Sequence, residues 1–437
     1  MRDIVLTAII FSLLFFALKQ PYVGVLLWSW VSYMNPHRLT WGFAFYFPFV
    51  QIIAIVTLLS LLFCKDIKKI PITGLTALWF VFFLWMTLTT ALAVYPDAAW
   101  DYYVKVLKVM APILLTMMLM YNRERINMLI WVIVFSIGFF GIKGGIFTLT
   151  SGGSARVWGP PGGFIEGNNE LGVALLMVLP LMRYLQVISE NKWVRRGVGV
   201  AMVLSLISVA GTQSRGAFLA ATAALIFLGM KSNRKIAMTV FGAIVGISVY
   251  VFMPETWHDR MGTIQTYEED GSAMGRIIAW QYSVNVASER LFGAGFEAWS
   301  GEMFFRYGPP DSIARVAHSI YFHVLADHGW IGLMLFVTIF LIAWRTASWV
   351  IKQSKEIAEL AWAENLAKMI QVSFIAYAVG GAFLSLSYFD LPWHLVAILV
   401  LLKEIVKAHK DEHKLSESGS KPAKQNFRPR SVGVSSR

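Results

Sequence analysis

Apolar stretches of roughly 16 to 25 residues recur along the whole chain, each long enough to cross a hydrocarbon core, and nothing else restricts its folding so strongly. They lie near 3–34, 46–63, 72–94, 102–121, 126–149, 168–188, 196–212, 215–231, 235–253, 319–350, 366–386 and 388–406. A backbone in lipid must satisfy its own polar groups, so the expected fold is an all-α polytopic membrane protein of about 12 transmembrane helices. Only 15% of the residues are charged, far below a soluble domain, which supports the same reading. Lys19-Gln20-Pro21 interrupts the first stretch, leaving open one broken crossing or two short helices.

Charge placement orders the connections. Lys65-Asp66-Ile67-Lys68-Lys69, Asn122-Arg123-Glu124-Arg125, Lys192 with Arg195-Arg196, Lys231 with Arg234-Lys235, Lys352 with Lys355, and the C-terminal tail fall on alternate connections, which the positive-inside rule places in the cytoplasm. The Gly-, Pro- and aromatic-rich connections at 35–45, 95–101, 150–167, 212–216, 254–318 and 386–388 then face outward, and the N-terminus is expected inside. The organisation expected is residues 1–253 as N-terminal transmembrane helices (about ten), 254–318 as one large outward loop with an amphipathic helix, 319–407 as C-terminal transmembrane helices, and 408–437 as a basic, disordered cytoplasmic tail. In the loop, Ile277, Trp280, Val284, Ala287 and Leu291 recur at helical spacing and predict a helix along the membrane face.

The net charge of +12 is distributed, so it marks contact with anionic membrane lipids rather than nucleic acid. Cys64 is the only cysteine, which excludes a disulfide framework and any Cys-based zinc site. The chain contains no nucleotide-binding loop of the G-x-x-x-x-G-K-[ST] or G-x-G-x-x-G kind and no G-x-S-x-G, so phosphate must be handled by side chains and helix ends. ATP-driven transport by this chain is excluded on the same ground.

Four outward places carry candidate chemistry. In Gly211-Thr212-Gln213-Ser214-Arg215-Gly216, Ser214 is a plausible N-cap for a helix starting at 215, and Arg215 adds a fork of donors to the positive helix end, which suits a phosphate or pyrophosphate. Snorkelling to headgroups is the other reading. In Asp270-Gly271-Ser272-Ala273-Met274-Gly275-Arg276, Arg276 stands near a helix start and either contacts a ligand or pairs with Glu268, Glu269 or Asp270. Lys143 lies about six residues, roughly 9 Å, inside the outward end of its span, where a cation snorkels, pairs with a carboxylate or meets a lipid phosphate. The loop after it runs from Arg156 to Asn169 and Glu170, which stand at a helix start and either cap it or bind sugar hydroxyls.

The fourth place is Ala314 to Leu333, with His318, His323, Asp327 and His328. His318 and His323 are five apart, about 140° around a helix, so they lack the i, i+4 spacing of a helical zinc pair. No metal site is expected. A single role for His318 at the outer end of the span is more economical: an imidazole there titrates near neutral and is able to take a proton from a hydroxyl.

Taken in order, Ser214-Arg215-Gly216, Asp270 to Trp280, Leu291-Phe292-Gly293-Ala294-Gly295-Phe296, His318-Ser319 and Gly329-Trp330-Ile331-Gly332 resemble the bacterial O-antigen ligase family, which also contains the O-antigen polymerases. The resemblance covers 150–335 most clearly. Arg260-Met261-Gly262-Thr263-Ile264-Gln265-Thr266-Tyr267, ahead of Asp270, is most similar to a branch of O-glycosylation ligases found with exosortase systems. The resemblance implies a GT-C-type membrane glycosyltransferase of the bacterial inner membrane, with a periplasmic active site. It would move a preassembled glycan from an undecaprenyl-pyrophosphate-linked donor to a hydroxyl of lipid A-core, or of a protein, with inversion and without metal or other cofactor. It also places the family's essential residues on Arg215, Arg276 and His318. A flippase of lipid-linked sugar is the competing class. It would need charge accessible from both sides, whereas these residues gather at the outer side.

Overall fold

Pro21 occupies the first position of a second helix, where its missing N–H costs nothing, and so divides the first apolar stretch into α1 (Arg2–Lys19) and α2 (Pro21–Met34). The computed structural model describes residues 1–66, 68–231, 235–262 and 271–417. Among these the chain is all helical with no strand. After α2 come α3 (Phe49–Phe63), α4 (Gly74–Ala91), α5 (Pro96–Leu119), α6 (Arg123–Thr150), α7 (Asn168–Ile188), α8 (Lys192–Gly211), α9 (Arg215–Lys231) and α10 (Lys235–Phe252). Between α10 and the next long helix lie α11 (Glu255–Gly262), α12 (Gly271–Glu289) and α13 (Gly301–Tyr307), followed by α14 (Ile320–Ser354), α15 (Ala361–Gly381) and α16 (Asp390–Glu417).

Six helices are long and apolar enough to cross a membrane: α4, α5, α6, α7, α8 and α14. The chain is a multi-pass membrane protein, with six candidate spans among the described residues where the apolar stretches predict about twelve. The shortfall has local causes. Breaks at Pro21 and Asn35 leave α2 at 14 residues, α3 has 15, and α1, with 18, carries the charges of Arg2, Asp3 and Lys19. Bulky apolar side chains such as Phe15, Leu62, Phe135 and Leu341 stand on the outside of the bundle, where hydrocarbon rather than water suits them.

α7 is the centre of the bundle, with 78% of its apolar window buried. Small residues let its neighbours approach: Gly172 lies against Ala217 of α9, and Gly380 of α15 lies against Val173 and Ala220. The connections sort into two ends. At one, Arg125 pairs with Asp66 at 2.8 Å and Arg123 lies over Trp362, joining basic connections that charge placement puts on one side. At the other, Val157 N–H donates to Gly211 C=O and Val94 N–H to Ala294 C=O.

α12 buries Ala279, Tyr282, Ser283, Val286 and Ala287, with Tyr282 stacked on Phe304 at 4.1 Å and donating to Ala298 C=O, while Ile277 and Leu291 of the predicted stripe are exposed. One expectation needs correcting. α16 runs on as helix to Glu417, into the segment expected to be tail, helped by a Lys407–Glu404 pair at 2.9 Å. The remainder of that tail, 418–437, lies outside the described residues.

Candidate functional site

The turn before α9 is built from the residues upward. Gln213 adopts a left-handed backbone (φ 54°), which turns the chain so that Ser214 Oγ caps α9 by accepting from Ala217 N–H at 3.1 Å. The α6–α7 connection is tied onto this turn. Gln213 Nε2 donates to Gly153 C=O at 3.1 Å, Arg156 Nε reaches Gln213 Oε1 at 3.4 Å, and Asn168 Nδ2 donates to Thr212 C=O at 2.8 Å. Arg215 is half-buried at the resulting helix start. Asn169 and Glu170 follow on the first turn of α7, where Glu170 folds back over Gly167 and interacts electrostatically with Arg276.

Arg276 and His318 line one cleft of about 450 Å³, together with Gly275, Arg315 and Val316. His318 stands just before α14 rather than on its first turn, in a left-handed conformation (φ 44°). Such a backbone costs a non-glycine residue about 1–3 kcal/mol and persists only where neighbours over-determine it. They do so here. Trp280 Nε1 donates to Ala317 C=O at 2.8 Å, Ser387 Oγ donates to Ile320 C=O at 3.1 Å, and Trp280 stacks on Phe322 at 4.9 Å. Partial burial first, and then the charge of Arg276, holds the His318 imidazole below its ordinary titration range, so it is neutral at pH 7. A neutral imidazole is a proton acceptor.

Phe383, after α15, connects the two helix starts. It lies against Gly216, next to Arg215, and its ring is 6.4 Å from that of Trp280, one turn along α12 from Arg276. Glu268, Glu269 and Asp270, considered as partners for Arg276, lie outside the described residues, as does 263–267 of the stretch resembling the O-glycosylation branch. Lys143 lies on the exposed side of α6 beside Ile142, Ile146 and Phe147.

The other members of the histidine run are placed differently. Gly329 breaks α14 (φ 66°, ψ −173°), and the carbonyls freed there are taken by neighbours: Ala294 N–H reaches Ala326 C=O at 2.8 Å, Gly295 N–H reaches Asp327 C=O at 3.0 Å, and Trp85 Nε1 reaches His328 C=O at 2.9 Å. The side chains form a buried chain. His328 bonds Thr89 Oγ1 at 2.7 Å and the Tyr388 hydroxyl at 2.9 Å; that hydroxyl donates to Asp327 Oδ2 at 2.9 Å, which lies 3.5 Å from His323 Nε2. No group of three or more His, Cys, Asp or Glu side chains that could hold a metal occurs among the described residues.

Arg315 is the residue that motif reading missed. Its signal was present: it is a further basic residue three positions before His318, in a loop, 254–318, that contains no lysine. Tyr388 had no such signal, since only the turn between α15 and α16 brings it to Asp327.

Residues 200–337 match the family described as O-Antigen ligase, and residues 1–189 match a family of unknown function (DUF5935). No curated protein matches the chain. Arg215, Arg276, Arg315 and His318 all fall within the first match, as do the break at Gly329 and the loop that fills it. The family implies a membrane glycan ligase acting on lipid-linked glycans. The chain is thus a multi-pass membrane protein whose residues 200–337 are similar to the O-antigen ligase family and whose residues 1–189 are similar to a family of unknown function.

Proposed function

We propose that this chain is a GT-C-type O-antigen ligase of the bacterial inner membrane. It transfers a preassembled glycan from undecaprenyl pyrophosphate to a hydroxyl of lipid A-core at the periplasmic face. The observation that carries the reading is the pairing of a fixed cation, Arg276, with a neutral imidazole, His318, in one cleft, with the capped start of α9 and Arg215 on the far side of Phe383.

The residues take the following parts. Arg215 and Arg276 bind the pyrophosphate and stabilise the charge that accumulates on it as it leaves. His318 accepts the proton of the acceptor hydroxyl, whose oxygen bonds to the anomeric carbon as the bond from that carbon to the pyrophosphate oxygen breaks. Attack from the face opposite the leaving group inverts the carbon. The pyrophosphate is already a good leaving group and the arginines neutralise it, so the reaction is metal-independent. Asn169 and Glu170 face the glycan, Arg156 supports Gln213 and the turn, and Lys143 meets headgroup phosphates beside the site. The outward loop 254–318 brings Arg276 and His318 over the membrane helices, which hold the polyprenyl chain.

The test uses the purified full-length chain and an undecaprenyl-pyrophosphate glycan, with lipid A-core, a Ser/Thr-bearing protein or excess donor offered separately, with and without EDTA. Sugar on lipid A-core, insensitive to EDTA, is expected. Sugar on the protein would identify an O-glycosylation ligase, and sugar on the donor a polymerase. Translocation across a vesicle without transfer would identify a flippase. EDTA inhibition reversed by a divalent ion would overturn the metal-free step.

A further inference from the structure

Arg315 shares the cleft with Arg276 and His318, and two features fix its guanidinium there. Its Nη1 donates to the Gly271 carbonyl at 3.1 Å, at the first residue of α12. Its side chain also lies across Gly275, in space that a side chain at 275 would fill. A Cβ placed there would sit 2.9 Å from Arg315 Cδ and 3.1 Å from Cζ, and closer still to Nη1. The glycine before Arg276 is therefore the seat of a second arginine. One bond to Gly271 occupies one of five guanidinium donors and leaves the others for a ligand. Among the described residues the cleft lining holds two arginines, with the Glu170 carboxylate acting on Arg276 from outside that lining.

Resting on the donor reading above, we infer that Arg315 is a specificity-determining residue that recognises the second phosphate of the donor, so that the cleft selects pyrophosphate-linked over monophosphate-linked polyprenyl lipids. Arg215, on the far side of Phe383, does not line this cleft, so within it Arg276 is left to meet one phosphate. A pyrophosphate diester carries one more negative charge than a phosphate diester and spreads it over two groups. Two guanidinium forks from different elements, α12 and the segment before α14, match that spread. Arg315 is not assigned a part in the chemistry at the anomeric carbon.

The test measures equilibrium binding of undecaprenyl pyrophosphate and undecaprenyl monophosphate to the full-length protein in nanodiscs, for wild type, Arg315→Gln, Arg315→Lys and Gly275→Ala. Gly275→Ala keeps the charge but displaces its flexible carrier. Wild type is expected to prefer the pyrophosphate lipid by about tenfold, the scale of one charge-assisted contact. Arg315→Gln and Gly275→Ala should erase that preference while monophosphate binding is retained, and Arg315→Lys should keep part of it. If Arg315→Gln retains the full preference, the inference about Arg315 falls and the donor reading stands. If wild type shows no preference, the donor reading falls and takes this inference with it. If Arg315→Gln loses both lipids equally, Arg315 serves the fold rather than selection, which also overturns the inference.

Discussion

Gly293 is a glycine whose replacement should be felt strongly, and the size of the effect follows from what surrounds it. Its φ is +66°, and a Cβ there would lie 2.6 Å from Ala326 O, 2.7 Å from Asp327 O and 2.7 Å from Gly329 N, all backbone atoms of the break in α14. For Gly293→Ala, the left-handed backbone costs about 1–2 kcal/mol and the overlap about 1–3 kcal/mol more. Pushing the loop outward also weakens the Ala294–Ala326 and Gly295–Asp327 bonds, at about 1 kcal/mol each. The sum, about 4–7 kcal/mol, is a large share of a typical domain stability of about 5–15 kcal/mol. Gly152 is the control. It is also left-handed (φ +60°) but has nothing within 4 Å of a built Cβ, so Gly152→Ala carries only the backbone cost. The assay is thermal unfolding of both purified variants in the same detergent, with membrane protein level as a second readout. Gly293→Ala should melt well below Gly152→Ala and accumulate less. Equal melting of the two would refute the claim that the 293–295 loop is wedged into the break.

Three further predictions follow from the site. Arg215→Lys and His318→Ala should each abolish ligation in the purified assay while membrane levels stay near wild type, because lysine keeps the charge but not the bidentate geometry; full activity of His318→Ala would remove the proton-acceptor assignment. Since the folded-state titration of His318 lies below its ordinary value of about 6.5, ligation should persist as pH falls through that value and be lost only further down. The stability sign is the same: below about 6.5 the unfolded chain takes up a proton that folded His318 resists, so stability falls with acidification, and His318→Gln should lessen that loss in pH-dependent melting curves. Tyr388→Phe leaves both Asp327 Oδ2 and His328 Nε2 without the hydroxyl between them, at about 1–3 kcal/mol for each stranded buried group, whereas Thr89→Val removes only one partner of His328; Tyr388→Phe should melt lower, and the reverse order would show that the hydroxyl is not the hub.

Some of this fold is legible because it depends on local rules. Apolar runs mark helices in lipid, Pro21 marks a break, Ser214 marks a cap, and alternating charge sorts the connections into two ends that meet as Asp66–Arg125 at one and Val157–Gly211 at the other. What required the structure depends on contacts between distant segments. The face of α12 buried in the protein is set by Phe304 and Ala298, which lie in a later helix and turn, so α12 alone does not reveal it. Span length depends on where neighbours let a helix end, which is why several apolar runs became short helices.

The histidine run shows how the two kinds of information combine at the site. Helical spacing separates His318 from His323 and His328 but cannot say what holds either group. In the structure, His323, Asp327 and His328 belong to a buried chain that fastens the first part of α14 to α4 through Thr89 and Trp85, and to the turn before α16 through Tyr388. The Gly329 break then gives the 293–295 loop, which follows α12, carbonyls to bind on the same short stretch of helix. Those ties meet just downstream of His318, whose left-handed backbone needs fixed neighbours on both sides. α12 supplies Arg276 to the cleft and Trp280 to Ala317, so the segment that positions the imidazole also positions the cation beside it. Polar residues buried in α14 therefore serve the cleft without entering it, by keeping its histidine and its arginine on one shared framework.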